Sequence, residues 1–217
     1  NVIFADVDPL TGMLTPESIE KELKLRKHKV KIITLVHLGG RLCDLEGIAK
    51  VAKKFNCFIV EDACHAPGSK YISNRGNRFE TGSCKYSIAT SFSFHAIKHI
   101  TMAEGGCITT NTKELAETVR RKLDHGIIRN NKLSKNHKFS EDPWYYEINE
   151  LGYNYRASEI NCALGLSQLV RLKASVQKRK MIASIYKKQL KSVSYLSFPS
   201  DAFTSKYNSW HLFSIFI

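Results

Sequence analysis

The chain has 217 residues, a size suited to one domain or to one domain with part of a second. It is 43% hydrophobic and 24% charged, the balance of an ordinary globular protein, and no run of 18 apolar residues escapes a charge, which argues against a membrane-spanning helix. The net charge of +13 collects in residues 21–31 (KELKLRKHKVK), 129–138 and 177–188, with no aromatic-interleaved RNA motif and no zinc-finger spacing, so solvated helix faces, loops and an anionic small substrate account for it better than nucleic acid.

In chain order, NVIFADVDP lacks the basic start and long apolar core of a secretory signal, and VIFADVD (residues 2–8) reads as a strand without a lead-in. Thr15 followed by Pro16 gives an N-cap and a first-turn proline, opening a helix to about Leu25. VKIITLVHL (30–38) is a β-branched run of the buried-strand type, broken by Gly39-Gly40. Asp44 caps a second helix in which Leu45, Ile48, Ala49, Ala52 and Phe55 share a face. CFIVEDA (57–63), SIATSFSF (87–94) and GGCITTN (105–111) follow as strands, and the glycine pair reads as a tight turn. ELAETVRRKLDHG (114–126) is amphipathic, with Gly126 as the expected C′ residue.

Residues 132–150 are polar and irregular, with Pro143 and the aromatic cluster Trp144, Tyr145 and Tyr146. One long helix is expected from Ser158 to about Lys191, then a strand in SWHLFSIFI. The edge strands look cut, so the expected organisation is a partial large domain over 1–157 and, over 158–217, a connecting helix and the start of a small domain. Six scattered cysteines without a C-x-x-C pair read as buried apolar residues of a reducing cytoplasm, with no disulfide framework and no metal site.

Strands alternating with helices predict an α/β domain with a mainly parallel sheet flanked by helices. Ligands gather at the carboxyl ends of such strands. Asp62 closes one strand, Ser93 lies near the end of another, and Lys98 follows shortly after. An aldehyde cofactor such as pyridoxal phosphate needs a lysine for its Schiff base, a carboxylate facing its ring nitrogen and donors around its phosphate. Spacing alone leaves Lys98 open as an anchor of this kind or as a surface lysine.

The stretches VEDACHAPGS (60–69), SFSFHAIKHITMAEGG (91–106), LDHGI (123–127) and LGYNYRASEINCALGLSQLVRL (151–172) resemble, in this order, the DegT/DnrJ/EryC1/StrS sugar aminotransferases. DPWYYEINELGYNYR is most similar to the branch that makes the amino-sugar precursor of pseudaminic acid. The resemblance runs over essentially the whole chain and implies the fold-type I, aspartate-aminotransferase-like architecture, truncated at both ends. It implies pyridoxal 5′-phosphate as cofactor and Lys98 as the Schiff-base lysine and proton carrier. Asp62 would pair with the ring nitrogen, His65 would lie against the ring, and Ser93 would donate to the phosphate. Asn154 and Arg156 would reach across a homodimer interface toward cofactor phosphate and substrate.

The implied substrates are L-glutamate and a nucleotide-linked 4-keto-6-deoxy sugar, in the cytoplasm, with no nucleic acid or membrane partner. A sugar dehydratase of the same fold replaces the lysine by histidine, so Lys98 argues against it. A non-catalytic binding or regulatory protein on the fold is the remaining alternative. Glu61 reads as structural. Cys64 has no base or orienting group to make it a nucleophile.

Overall fold

The computed structural model describes residues 1–26, 30–129, 142–200 and 207–217. Helix α1 spans Pro16–Leu25; the Thr15 hydroxyl accepts from the Ser18 N–H while Ser18 answers to the Thr15 N–H, a reciprocal capping box. Strand β1 is Ile32–Val36, and α2 is Leu45–Phe55, capped by Asp44, whose carboxylate accepts from the Gly47 N–H at 2.9 Å. Strand β2 is Phe58–Asp62, and β3 (Lys70–Ile72) and β4 (Arg78–Glu80) form a short antiparallel pair. Strands β5 (Ala89–Ser93) and β6 (Gly106–Thr109) follow.

The sheet order is β1-β2-β5-β6, with β1, β2 and β5 parallel and β6 antiparallel to β5. One face packs on α1 and α2, where Ile19, Leu23, Leu35, Ile48, Phe55 and Ile59 are buried. Each such side chain contributes about 1.5–3 kcal/mol, so α2 is held by its apolar face as much as by its cap. The opposite face leaves Ile32, Val36 and Phe58 roughly half exposed. Period-two alternation therefore decides which strand-end side chains enter the core and which stand on the open face.

By contacts the chain forms two compact units: residues 1–110 with 159–217, and residues 111–158. The second unit holds α3 (Lys113–Leu123) and a two-residue pair, β7 (Ile127–Ile128) with β8 (Glu147–Ile148). Its α3 ends at Asp124. His125 takes the left-handed C′ position at φ 57°, and Gly126 sits one residue later, donating its N–H to the Arg121 carbonyl at 2.9 Å. The expectation of Gly126 at C′ is thus off by one.

Three further expectations differ from the structure. Residues 2–8 form no strand, only an isolated bridge between Val7 and Leu14, because Asp8 folds the chain back by accepting from the Leu10 and Thr11 N–H groups. The expected single helix over 158–191 is two, α4 (Glu159–Leu169) and α5 (Leu172–Leu190). A Cβ on Gly68 would lie 3.2 Å from Val176 and 3.7 Å from Leu172, so the first turns of α5 seat on that glycine. The SWHLFSIFI segment is not a strand, and among the described residues it pairs only through a Ser197–Phe216 bridge. The basic run at 129–138 lies, from residue 130 on, outside the described residues.

Candidate active site

The strand register carries the site. Val36, Asp62 and Ser91 stand level across β1, β2 and β5, and Ser93 lies two residues further along β5 on the same face as Ser91. Asp62 and Ser93 therefore share the open face at the carboxyl ends of neighbouring parallel strands. The next residue back, Glu61, points the other way and is 3% exposed. It accepts from His37 Nε2 at 2.8 Å, from Thr90 Oγ1 at 3.1 Å and from Ser87 Oγ. Burial opposes its charge, but the His37, Ser87 and Thr90 hydrogen bonds outweigh that and hold the carboxyl below its ordinary range. Glu61 is a structural carboxylate, and the His37 N–H, donated to the Asp62 carbonyl at 3.0 Å, ties the same network to the site.

Asp62 Oδ1 accepts from the Cys64 N–H at 3.0 Å, which stops the strand in a turn and fixes the carboxylate. Asp62 makes no ion pair among the described residues. Burial, and then Asp62 itself, push the Cys64 thiol up to about 11, so it stays protonated at neutral pH and unreactive. His65 follows, half-buried; its Nδ1 accepts from the Gly39 N–H at 3.4 Å, and its ring stands 4.4 Å from that of His211. Burial first, and the charge of Lys98 next, hold His65 below the ordinary imidazole range.

Lys98 rides on a loop that leaves β5 at Phe94 and returns at Gly105. The loop is closed by Phe94 N–H to the Gly105 carbonyl (2.8 Å), Met102 N–H to the Phe94 carbonyl (2.8 Å) and Lys98 N–H to the His95 carbonyl (3.0 Å). Ser93 Oγ accepts from the His95 N–H at 3.3 Å, leaving its own hydroxyl proton to give elsewhere. A Cβ on Gly106 would fall 2.3 Å from the Phe92 carbonyl oxygen, so the return strand approaches this closely only with glycine. The Lys98 amine makes no hydrogen bond or ion pair among the described residues, unlike Lys54, Lys70 and Lys122, which hold carboxylates. Its charge nevertheless acts on His65, His99 and His211, which places all four groups together.

Two of those groups were not expected from the sequence. His99 is buried and donates Nε2–H to the Ser209 carbonyl at 2.9 Å. His211 comes from more than a hundred residues away, a separation that no local spacing reveals. Its segment is seated by His211 N–H to the Gly39 carbonyl (3.0 Å) and by Arg179 Nη1 to the Trp210 and His211 carbonyls (3.3 and 3.2 Å). Among the described residues no group of three or more His, Cys, Asp and Glu is arranged to hold a metal ion.

Asn154 and Arg156 belong to the other unit. Tyr153 and Tyr155 donate their N–H groups to the Lys122 and Leu123 carbonyls at 2.6 and 2.9 Å, so the segment lies along the end of α3. Asn154 bridges to Asp124, and Arg156 Nε meets Asp124 Oδ1 at 2.8 Å. The rings of Tyr153 and Tyr155 stack at 4.8 Å and stand exposed, as do Trp144 and Tyr146.

Residues 1–217 match the family model described as the DegT/DnrJ/EryC1/StrS aminotransferase family. A UDP-4-amino-4,6-dideoxy-N-acetyl-beta-L-altrosamine transaminase of Campylobacter jejuni is 33% identical over 186 residues, 86% of this chain and 45% of that protein. Among solved structures, Helicobacter pylori PseC, an aminotransferase of pseudaminic acid biosynthesis, is similar with a TM-score of 0.82 and 32% identity over 98% of this chain and 51% of that one. NtdA from Bacillus subtilis, solved with bound cofactor PMP, gives a TM-score of 0.76 and 26% identity over 98% and 43%. The chain spans about half the length of the curated relatives it matches.

Proposed function

The chain belongs to the DegT/DnrJ/EryC1/StrS aminotransferase family and has the α/β fold of those enzymes, fold type I, and from that premise we propose that the protein is a sugar aminotransferase dependent on pyridoxal phosphate. It moves an amino group from L-glutamate to a nucleotide-linked 4-keto-6-deoxy sugar, in amino-sugar biosynthesis of the pseudaminic acid type named for the relatives above. The observation that carries this reading is the uncommitted Lys98 amine, on a loop leaving the strand next to the one that Asp62 closes, with both groups near enough to act on Cys64 and His65.

The residues present fit the cofactor. Lys98 is free to bond its aldehyde, Asp62 to face its ring nitrogen, and Ser93 to donate a hydroxyl proton to its phosphate. His65, held at Nδ1 by the Gly39 N–H, offers a ring edge or face to lie against it. When bound, the cofactor supplies an electron sink for the bond broken at the substrate carbon. The chain's part is proton work: Lys98 would take the proton from the substrate carbon and return it at the carbon on the far side of the transferred nitrogen. Asp62 would keep the ring nitrogen protonated, and the unreactive Cys64 would take no part. Asn154 and Arg156 act from a second copy, in a cytoplasmic homodimer whose active sites are shared. No described helix is long and apolar enough to cross a membrane.

The test is absorbance of the full-length protein with pyridoxal phosphate. A band at roughly 410–430 nm that glutamate bleaches, absent in Lys98→Ala, is expected. A folded wild-type protein without the band overturns the reading.

A further inference from the structure

Three polar groups around Lys98 have no partner among the described residues. His99 is 7% exposed, and its Nε2 faces a carbonyl, so the ring proton sits there and Nδ1 is a bare acceptor; that atom is buried without a hydrogen bond. His211 Nδ1 is buried without one as well. The Lys98 amine is the third. The two Nδ1 atoms are buried and the lysine is part-exposed; buried polar atoms left in this way are uncommon, and each calls for an explanation.

The fold holds this arrangement under strain. The ring of His211 stands between those of His65 and His99, at 4.4 and 5.1 Å. Trp210, the residue before it, has φ 54°, a conformation that bulky side chains seldom adopt. Around it the chain is knotted down: Ser209 N–H donates to Ser69 Oγ at 3.0 Å, and Ser209 Oγ donates to the His65 carbonyl at 3.2 Å. Gly40 has room for no Cβ, which would meet Ser209 Oγ at 2.6 Å. Strain fixed from several sides at one residue points to the placement of its neighbour, His211.

We infer that His99 and His211 are positioning residues of the Lys98 site, and that their Nδ1 atoms together hold one ordered water which accepts a hydrogen bond from the Lys98 amine. A buried water makes about three hydrogen bonds, and three groups lack partners. Both water protons go to the imidazoles, and a lone pair faces the lysine. Burial, with the nearby positive groups Lys98 and Arg179 and the neighbouring imidazoles, holds His99 and His211 to about 4, so both rings stay neutral acceptors at neutral pH. Asp62 and Cys64 are the other titratable groups facing His65 and Lys98. The inference rests on the reading of Lys98 as the reacting amine, whose direction it sets.

A crystal structure of the cofactor-free full-length protein decides it first. A water within hydrogen-bond distance of both Nδ1 atoms and of Lys98 Nζ is expected, and a dry or differently bonded site overturns the inference even if the aminotransferase reading stands. His211→Phe keeps a ring between His65 and His99 and removes Nδ1, and His211→Asn restores an acceptor near the same place. The rate at which Lys98 captures pyridoxal phosphate is expected to fall about tenfold in His211→Phe, the loss of one hydrogen bond, and to recover in His211→Asn. Equal rates in the two variants overturn the inference. If the wild-type protein captures no cofactor at Lys98, the proposed function fails, and the water site is still decided by the cofactor-free crystal.

Discussion

Replacing His37 by phenylalanine leaves the Glu61 carboxylate, 3% exposed, with two hydroxyl donors in place of three partners. Breaking a buried hydrogen-bonded pair from one side costs about 3–5 kcal/mol. Glu61→Leu instead strands the His37 Nε2–H, an unsatisfied donor costing about 1–3 kcal/mol. The double variant removes both polar groups, so it should be less destabilised than the summed singles by about 2 kcal/mol, the coupling expected of groups in contact. Urea denaturation of all four proteins, followed by circular dichroism, reads this directly. Additivity within about 0.5 kcal/mol would refute the reasoning, because it would mean that neither group depends on the other. Asp62 follows Glu61 directly and its carbonyl accepts from the backbone N–H of residue 37 at 3.0 Å, so a shift of either backbone in the single variants should lower pyridoxal phosphate affinity along with stability.

His99, buried and held to about 4 by burial ahead of the Arg179, His65 and Lys98 charges, gives a pH signature. Its folded value lies below the ordinary 6.5, so the stability it contributes is present above pH 6.5 and is lost as pH falls through 4, about 3 kcal/mol in full. Unfolding free energy measured between pH 7.5 and 4 should drop accordingly, and a His99→Asn variant with the same slope would contradict the assignment. Gly106→Ala forces a Cβ to 2.3 Å from the Phe92 carbonyl, so the β5–β6 pairing that carries the Lys98 loop must open. A loss of about 1–3 kcal/mol in thermal unfolding is expected, and an unchanged midpoint would mean the strands can part freely there.

Much of the large sheet and its first helices was legible because each signal was local. Thr15-Pro16 and Asp44 cap the helices they announce, and the β-branched run 30–38 and the run 57–63 contain β1 and β2 as expected. Asp62 and Ser93 could be placed on one face from strand period alone once their strands were known to be neighbours. What stayed hidden depends on distant packing. No glycine or proline marks the break at Val170 and Arg171, and the contact of Leu172 and Val176 with Gly68 just beyond it joins residues about a hundred apart, which no local pattern reveals. Residues 2–8 carry strand composition but find no partner strand among the described residues, and composition cannot supply one. His99 neighbours Lys98 in the chain, but adjacency assigns it no role, and His211 gives no signal, because its meaning is the tilted ring of His65 beside it and the carbonyl of Gly39 that seats it. The resemblance located Asn154 and Arg156; the structure adds that Asp124 holds both segment and guanidinium in place.

The central claim is that the amine of Lys98, alone among many lysines, is the one that reacts. The most direct measurement is to incubate the full-length protein with pyridoxal phosphate, reduce with borohydride and map the labelled peptide by mass spectrometry. The account predicts near-stoichiometric label on the peptide bearing Lys98 and its loss in Lys98→Ala. Label spread over exposed lysines, or none at Lys98 in a folded protein, would contradict it.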